Sequence, residues 1–295
     1  MIETIEKLFW SSRPISWINT AYPFAVAFYL ASAKAGQQLD PQTLTTLIIG
    51  SLFFLIPYNL LMYGVNDVFD YESDLRNPRK GGIEGALLEP RFHRVTVVSA
   101  VALSLPFVLY LTLVGTSEST GWLYLFLFTV IAYSAKGLRF KEKPFLDSLT
   151  SASHFVGPMI FGLSLAGANL ASPQLWPLIL AFTFWGIGSH SFGAVQDVVA
   201  DREGGIASIA TVIGARNTVR FSFLAYLIAA IAVVAAGYPY LLLAALPYLL
   251  LVARFWNITD ETCEQANRGW KRFIWLNFFA GAVVTFAWLI PLIFG

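Results

Sequence analysis

Charge is what this chain has little of: 13% of its 295 residues are Asp, Glu, Lys or Arg, against about 25% in an ordinary soluble domain. Cysteine is scarcer still. A single Cys263 excludes an intrachain disulfide. There are three histidines, and the formal net charge is +1, so no global field draws the chain toward nucleic acid or an acidic partner. An N-terminus carrying Glu3, Glu6 and Lys7 is not that of a cleavable signal peptide. It reads as a short amphipathic helix, and the first apolar run is expected to act as an uncleaved anchor.

What is abundant is apolar and aromatic: 57% hydrophobic and 16% Phe, Trp and Tyr. Runs of about 20 apolar residues, enough to cross a bilayer, fall at roughly 14–34, 44–66, 94–115, 119–137, 145–168, 174–195, 217–237, 239–257 and 270–294. The expected fold class is all-α, a polytopic membrane protein of nine transmembrane helices in one domain over 1–295. The basic residues sort by side. Of 19, only Lys34 follows an odd-numbered span; the rest lie at the N-terminus or after spans 2, 4, 6 and 8. The positive-inside rule then puts the N-terminus in the cytoplasm and the C-terminus outside.

Against this background two acidic clusters stand out, both on the side assigned to the cytoplasm. The first runs from Asn66 through Asp67, Asp70 and Glu72 to Asp74 at the end of span 2. The second, Asp197 and Asp201, ends span 6. Acids spent at the ends of membrane helices are usually functional. If the helix continues, Asn66, Asp70 and Asp74 share one face at i, i+4 and i+8, while Asp67 supports from the neighbouring face. Asp197 and Asp201 repeat the i, i+4 relation. Carboxylates stacked this closely repel one another unless a hard cation intervenes. Mg2+, which takes a few carboxylates with phosphate oxygens and water, is the expected ion. The bland alternative is a pair of solvated helix ends satisfied by Arg76, Arg79, Lys80 and Arg202. Neither run has the loop glycine and ligand spacing of an EF-hand. Gly64-Val65-Asn66-Asp67-Val68 and Val195-Gln196-Asp197-Val198 also hint at two four-helix units with a ninth helix appended.

The run Asn66-xxx-Asp70-xxx-Asp74 with Asp197-xxx-Asp201, after the second and sixth of nine spans, resembles the two aspartate-rich motifs of the UbiA superfamily of intramembrane prenyltransferases. The stretch from Asp201-Arg202 to Thr211 and Gly214 is similar to the family's segment after its second motif. Tyr133-Ser134 with Arg139 and Lys141 resembles the segment after helix 4 whose basic residues meet the diphosphate. The resemblance implies a UbiA-like fold and transfer of a prenyl group from its diphosphate to a lipophilic acceptor. It makes Asn66, Asp70, Asp74, Asp197 and Asp201 the metal ligands, and Lys136, Arg139, Lys141 and Arg202 the diphosphate clamps, with Tyr133 among the aromatics facing the allylic cation. Asn66, Asp67, Ser134, Arg79 and Lys80 are further substrate contacts. One departure is plain: many members follow motif 1 with Arg-Pro-(Leu/Ile)-Pro-Ser-Gly, where this chain has Asn77-Pro78-Arg79-Lys80-Gly81-Gly82. The loops 75–93 and 197–216 are expected to cap the site.

The segment from Ser11 to Pro23 looks like the start of the lycopene elongases, a branch of the same superfamily. That resemblance implies dimethylallyl diphosphate as donor, lycopene as acceptor and possible carotenoid-pathway partner enzymes, within the lipid of the cell membrane. The cation left by alkene attack would need a base or water, and His154 and His190 are the candidates, with packing as the plainer role for each. His93 reads as a solvated loop residue. Two other readings stay open. Arg13 is placed to receive the carboxylate of a 4-hydroxybenzoate-type acceptor, which would make this a quinone-pathway enzyme. A secondary transporter also uses many spans, though it gathers polar groups at the bilayer midplane.

Overall fold

The structure, a computed structural model, describes residues 2–36, 40–75 and 87–294, and for 73–74 and 289–294 the backbone alone. Arg76, Arg79 and Lys80 therefore lie outside the described residues, as does the side chain of Asp74. Everything regular among the described residues is helical, and the chain divides into two compact units.

The first unit takes residues 1–140 and 153–170. It holds α1 (Ile2–Ser11), α2 (Ile18–Lys34), α3 (Pro41–Phe69), α4 (Pro90–Val114), α5 (Ser117–Ser134) and the later part of α6 (Leu146–Leu165). Asp40 starts α3 by accepting the Thr43 N–H at 2.7 Å, with Pro41 in the first position, where its missing N–H costs nothing. Pro57 then interrupts the ladder, and the carbonyls it frees are taken up by side chains. Thr20 Oγ1 donates to the Phe54 carbonyl at 2.7 Å, and Asn59 Nδ2 donates to those of Phe54 and Leu55 at 2.7 and 3.1 Å. A π-helical stretch, Leu60–Gly64, comes directly after. So α3 stays helical through its proline and delivers Asn66 and Asp67 at its far end. An aromatic core of Phe24, Phe53, Phe54, Tyr58 and Phe161 fills this unit.

The second unit takes residues 141–152 and 171–295. It holds the start of α6, then α7 (Trp176–Val195), α8 (Val198–Glu203), α9 (Ile209–Ala235), α10 (Leu242–Ala253) and α11 (Ala266–Phe294). Ser208 and Thr211 form a capping box that starts α9. Gly214, at φ 78° and ψ 161°, then breaks the helix, a conformation that favours glycine. Phe192, Tyr226, Tyr248, Cys263 and Phe273 are buried in this unit's core.

Each of the nine expected spans falls on one of the nine described helices of twelve residues or more: α2 to α7, α9, α10 and α11. Four of them, α3, α4, α7 and α9, are long and apolar enough to cross a membrane by length and composition alone. On α4, Val98, Leu105, Leu109 and Leu113 are all exposed, as lipid-facing side chains are. The sequence repeat would place a boundary after α5, whereas the division falls inside α6. Its first residues are held by a hydrogen bond from the Ile209 N–H and one shared with the Ser191 hydroxyl, and its later ones by bonds from Tyr58 and to Thr129.

Candidate active site

The first acidic motif sits where α3 ends. The Asp70 N–H donates to the Asn66 carbonyl at 2.9 Å, so the expected i, i+4 relation is kept. Asp70 itself leaves the helix at φ −101°, and a separate turn, Tyr71–Asp74, comes next. Asn66 is held from α5: Ser134 Oγ donates to its Oδ1 at 2.8 Å. Ser134 thus acts on the motif through Asn66. Its neighbour Tyr133 meets the His154 ring edge-on, with centroids 5.2 Å apart.

Among the described residues, Arg139 and Arg13 approach this motif. The Arg139 guanidinium lies 3.8 Å from Asp70 Oδ1, and Arg13 Nη2 lies 2.9 Å from Asp67 Oδ1. Asp67 is 1% exposed, and Arg13 also lies over the Tyr63 ring at 4.4 Å. Both arginines have left-handed backbone, φ 51° at Arg13 and φ 40° at Arg139, joined among non-glycine residues by Phe145 alone within the described chain. Such conformations cost of order 1–3 kcal/mol and persist where surrounding structure fixes them. Arg13, the candidate for a substrate carboxylate in the alternative quinone-pathway reading, is paired here with the Asp67 carboxylate. Lys136 is exposed just beyond α5, and Lys141 is half-buried in the turn Phe140–Glu142.

In the second motif, Asp197 begins α8 and accepts the Asp201 N–H on its carbonyl at 2.8 Å, so these two carboxylates also stand one turn apart. Both are half-buried. Arg202, expected as a diphosphate clamp, is engaged elsewhere. Its Nε and Nη2 donate to the Thr211 carbonyl at 3.0 and 2.9 Å, and its Nη1 donates to Asp260 Oδ2 at 2.6 Å. Asp260 Oδ1 accepts the Ala215 N–H at 2.7 Å, just past the Gly214 break. That N–H, with Arg202 beside it, holds the Asp260 carboxyl below the usual carboxylate range.

Sequence reasoning missed two residues that organise this loop. Asp260 gave no signal, being one acid in a polar connection. Asp147 gave none either, since an acid in the first turn of a helix is ordinary. In fact Asp147 is fully buried, accepting the Ile209 N–H at 2.7 Å and the Ser148 N–H at 2.6 Å, with His190 Nε2 3.8 Å from Oδ2. His190 is thereby placed against a carboxylate. His93 Nε2 pairs with the Leu88 carbonyl at 2.8 Å.

Among the described residues no three His, Cys, Asp or Glu side chains gather into one group. Each motif instead presents a pair of oxygen ligands at i, i+4, an amide with a carboxylate and then two carboxylates. That donor set fits Mg2+, which binds through one or two carboxylates together with phosphate oxygens and water. It does not fit zinc, which wants nitrogen and sulfur.

Comparison with known proteins supplies relatives for this chain. The chain is 54% identical over 285 residues to the C(50) beta-cyclic carotenoids biosynthesis protein LbtBC of Dietzia sp. (strain CQ4), covering 95% of this chain and 64% of that protein. This chain thus spans a little under two thirds of that relative. It is 51% identical to a lycopene elongase/hydratase of Corynebacterium glutamicum, over 97% of both. The fold is similar to that of a UbiA homolog from Archaeoglobus fulgidus bound to DMAPP and Mg2+. The TM-score there is 0.62 at 18% identity, over 94% of this chain and 99% of that one. The sequence model of the UbiA prenyltransferase family matches residues 21–279, across both units. Matched by that family's model over residues 21–279, and 51% identical to a lycopene elongase/hydratase over 97% of both chains, this chain belongs to the UbiA prenyltransferase family.

Proposed function

We propose that this prenyltransferase moves a dimethylallyl group from its diphosphate onto lycopene, on the way to C50 carotenoids, with Mg2+ as cofactor. The carrying observation is 51% identity over 97% of both chains to a lycopene elongase/hydratase. The DMAPP and Mg2+ bound by the Archaeoglobus fulgidus homolog support the donor and the metal. We treat the two units as one enzyme, since the family match runs through both. We place the N-terminus and both motifs on the cytoplasmic side, from the distribution of basic residues.

In this reading Asn66, Asp70 and Asp74 are the metal ligands of the first motif, and Asp197 and Asp201 are those of the second. Mg2+, when bound, neutralises charge on the departing diphosphate. Arg139, with Lys136, Lys141 and, in the sequence after motif 1, Arg79 and Lys80, supplies positive charge for the same oxygens. The allylic C–O bond breaks with its electron pair left on the diphosphate. The π pair of a terminal lycopene alkene then forms the new C–C bond. The resulting tertiary cation loses a proton, or takes hydroxide from water with release of a proton; the word hydratase in the relative's name fits the second outcome. Apolar surroundings protect the first cation from water, and Tyr133 offers a π face. Asp67 and Arg13 support the motif from their buried pair, and Ser134 orients Asn66. The pairing of Arg13 with Asp67 supports a structural role for this arginine over contact with an aromatic carboxylate.

The test supplies dimethylallyl diphosphate, Mg2+, lycopene and 4-hydroxybenzoate together to membranes containing this protein. C45 and C50 products are expected, and Asp70→Asn and Asp197→Asn should each lower their formation by at least about a hundredfold. Prenylated 4-hydroxybenzoate in their place would overturn the acceptor; full activity in both variants would overturn the metal ligands.

A further inference from the structure

Asp260 lies 59 residues beyond Asp201, in the connection between α10 and α11, yet it holds the loop after the second motif at two points. One carboxylate oxygen caps the helix that restarts after Gly214, through the Ala215 N–H at 2.7 Å. The other accepts from Arg202, the residue next to Asp201, at 2.6 Å. Arg202 closes the arrangement by gripping the Thr211 carbonyl with two further N–H groups, at 3.0 and 2.9 Å. Two aligned N–H groups on one acceptor fix the plane of a guanidinium in a way that an ammonium does not. The loop from Arg202 to Ala215 is thus closed on itself through a single carboxylate. Gly214 is tuned to it as well, since a Cβ there would lie 3.2 Å from Asp260 Oδ1.

We propose that Asp260 is a positioning residue for the second acidic motif, setting the place of Asp201 through Arg202 and so the affinity of this motif for metal and diphosphate. This rests on the reading of Asp197 and Asp201 as metal ligands. It gives Arg202 a different task from a diphosphate clamp, and the two make opposite predictions. If Arg202 met the diphosphate directly, freeing it from Asp260 would leave binding unchanged or strengthen it. If Arg202 is a strut, removing the Asp260 charge weakens binding although no cation is lost. Groups that orient metal ligands are commonly worth 10–100-fold in metal affinity.

The probe is Mn2+ with inorganic diphosphate, bound to the purified full-length protein and followed by the loss of the free Mn2+ EPR signal, which needs no acceptor and no turnover. Asp260→Asn and Arg202→Gln are each expected to weaken binding about tenfold, and the double variant no further than either alone. Arg202→Lys keeps the charge but not the planar fork, so it should weaken binding too, and it serves if Asp260→Asn does not accumulate in membranes. Asp201→Asn is the control. Weakening in Asp201→Asn with wild-type binding in Asp260→Asn or Arg202→Lys overturns the strut and leaves the ligands standing. Wild-type binding in Asp201→Asn overturns the ligand assignment and the strut with it.

Discussion

Arg13 and Asp67 are 54 residues apart in the chain and 2.9 Å apart in space. A carboxylate almost wholly removed from water must be compensated, and a guanidinium stacked on Tyr63 does so with a charged hydrogen bond. Removing one partner strands the other. Asp67→Asn should therefore cost about 3 kcal/mol of stability, visible as a lower thermal unfolding midpoint in detergent, independent of Mg2+ and of substrate. Asp70→Asn is the contrast. Asp70 is 8% exposed and faces Arg139 at 3.8 Å, a longer and looser pairing. Its loss should fall on turnover far more than on the unfolding midpoint. Comparing the two variants in both assays separates a support from a ligand within one motif.

Helices carry these side chains, and their packing sets how well they are carried. α6 approaches α2 closely at Gly162, where a Cβ would sit 2.8 Å from the Phe24 carbonyl oxygen. Backbone has nowhere to retreat, so Gly162→Ala should cost about 1–3 kcal/mol and lower the unfolding midpoint. The break in α9 makes a different kind of prediction. Asp260 is held below its ordinary pKa by the Ala215 N–H and by Arg202. A carboxyl whose folded pKa is depressed adds stability above its unfolded pKa, about 3.9, and loses it as pH falls through the folded value. Asp260→Asn should therefore be less stable than wild type at pH 5, with the gap closing as pH falls below about 4. A gap that stayed constant down to pH 2.5 would show that the charge on Asp260 does not matter to α9.

Across the whole molecule, the sidedness of the basic residues makes the most exposed claim. With Cys263, which is buried, changed to Ser, a cysteine at Glu3 should react with a membrane-impermeant maleimide only after spheroplasts are opened. A cysteine placed at Tyr238, between α9 and α10, should react in intact ones. Labelling in the reverse pattern would invert the topology and move both acidic motifs to the outer face.

Local physics made much of this protein legible in advance. Runs of about 20 apolar residues and acids four apart at two helix ends are properties of neighbouring residues, so span count and the one-turn spacing of the acids could be read directly, and the basic residues on alternate connections carry the proposal of sidedness. Long-range pairing was not legible in this way. Nothing near Arg13 announces Asp67, nothing near Arg202 announces Asp260, and nothing near Asp147 announces the Ile209 N–H it accepts. Each of these charges is balanced by a group brought close only when distant helices pack. Which residues are candidates for the chemistry was therefore set by sequence, and that Arg13, Asp67, Arg202 and Asp147 are bound into the scaffold was decided by tertiary structure, which alone brings their partners within reach.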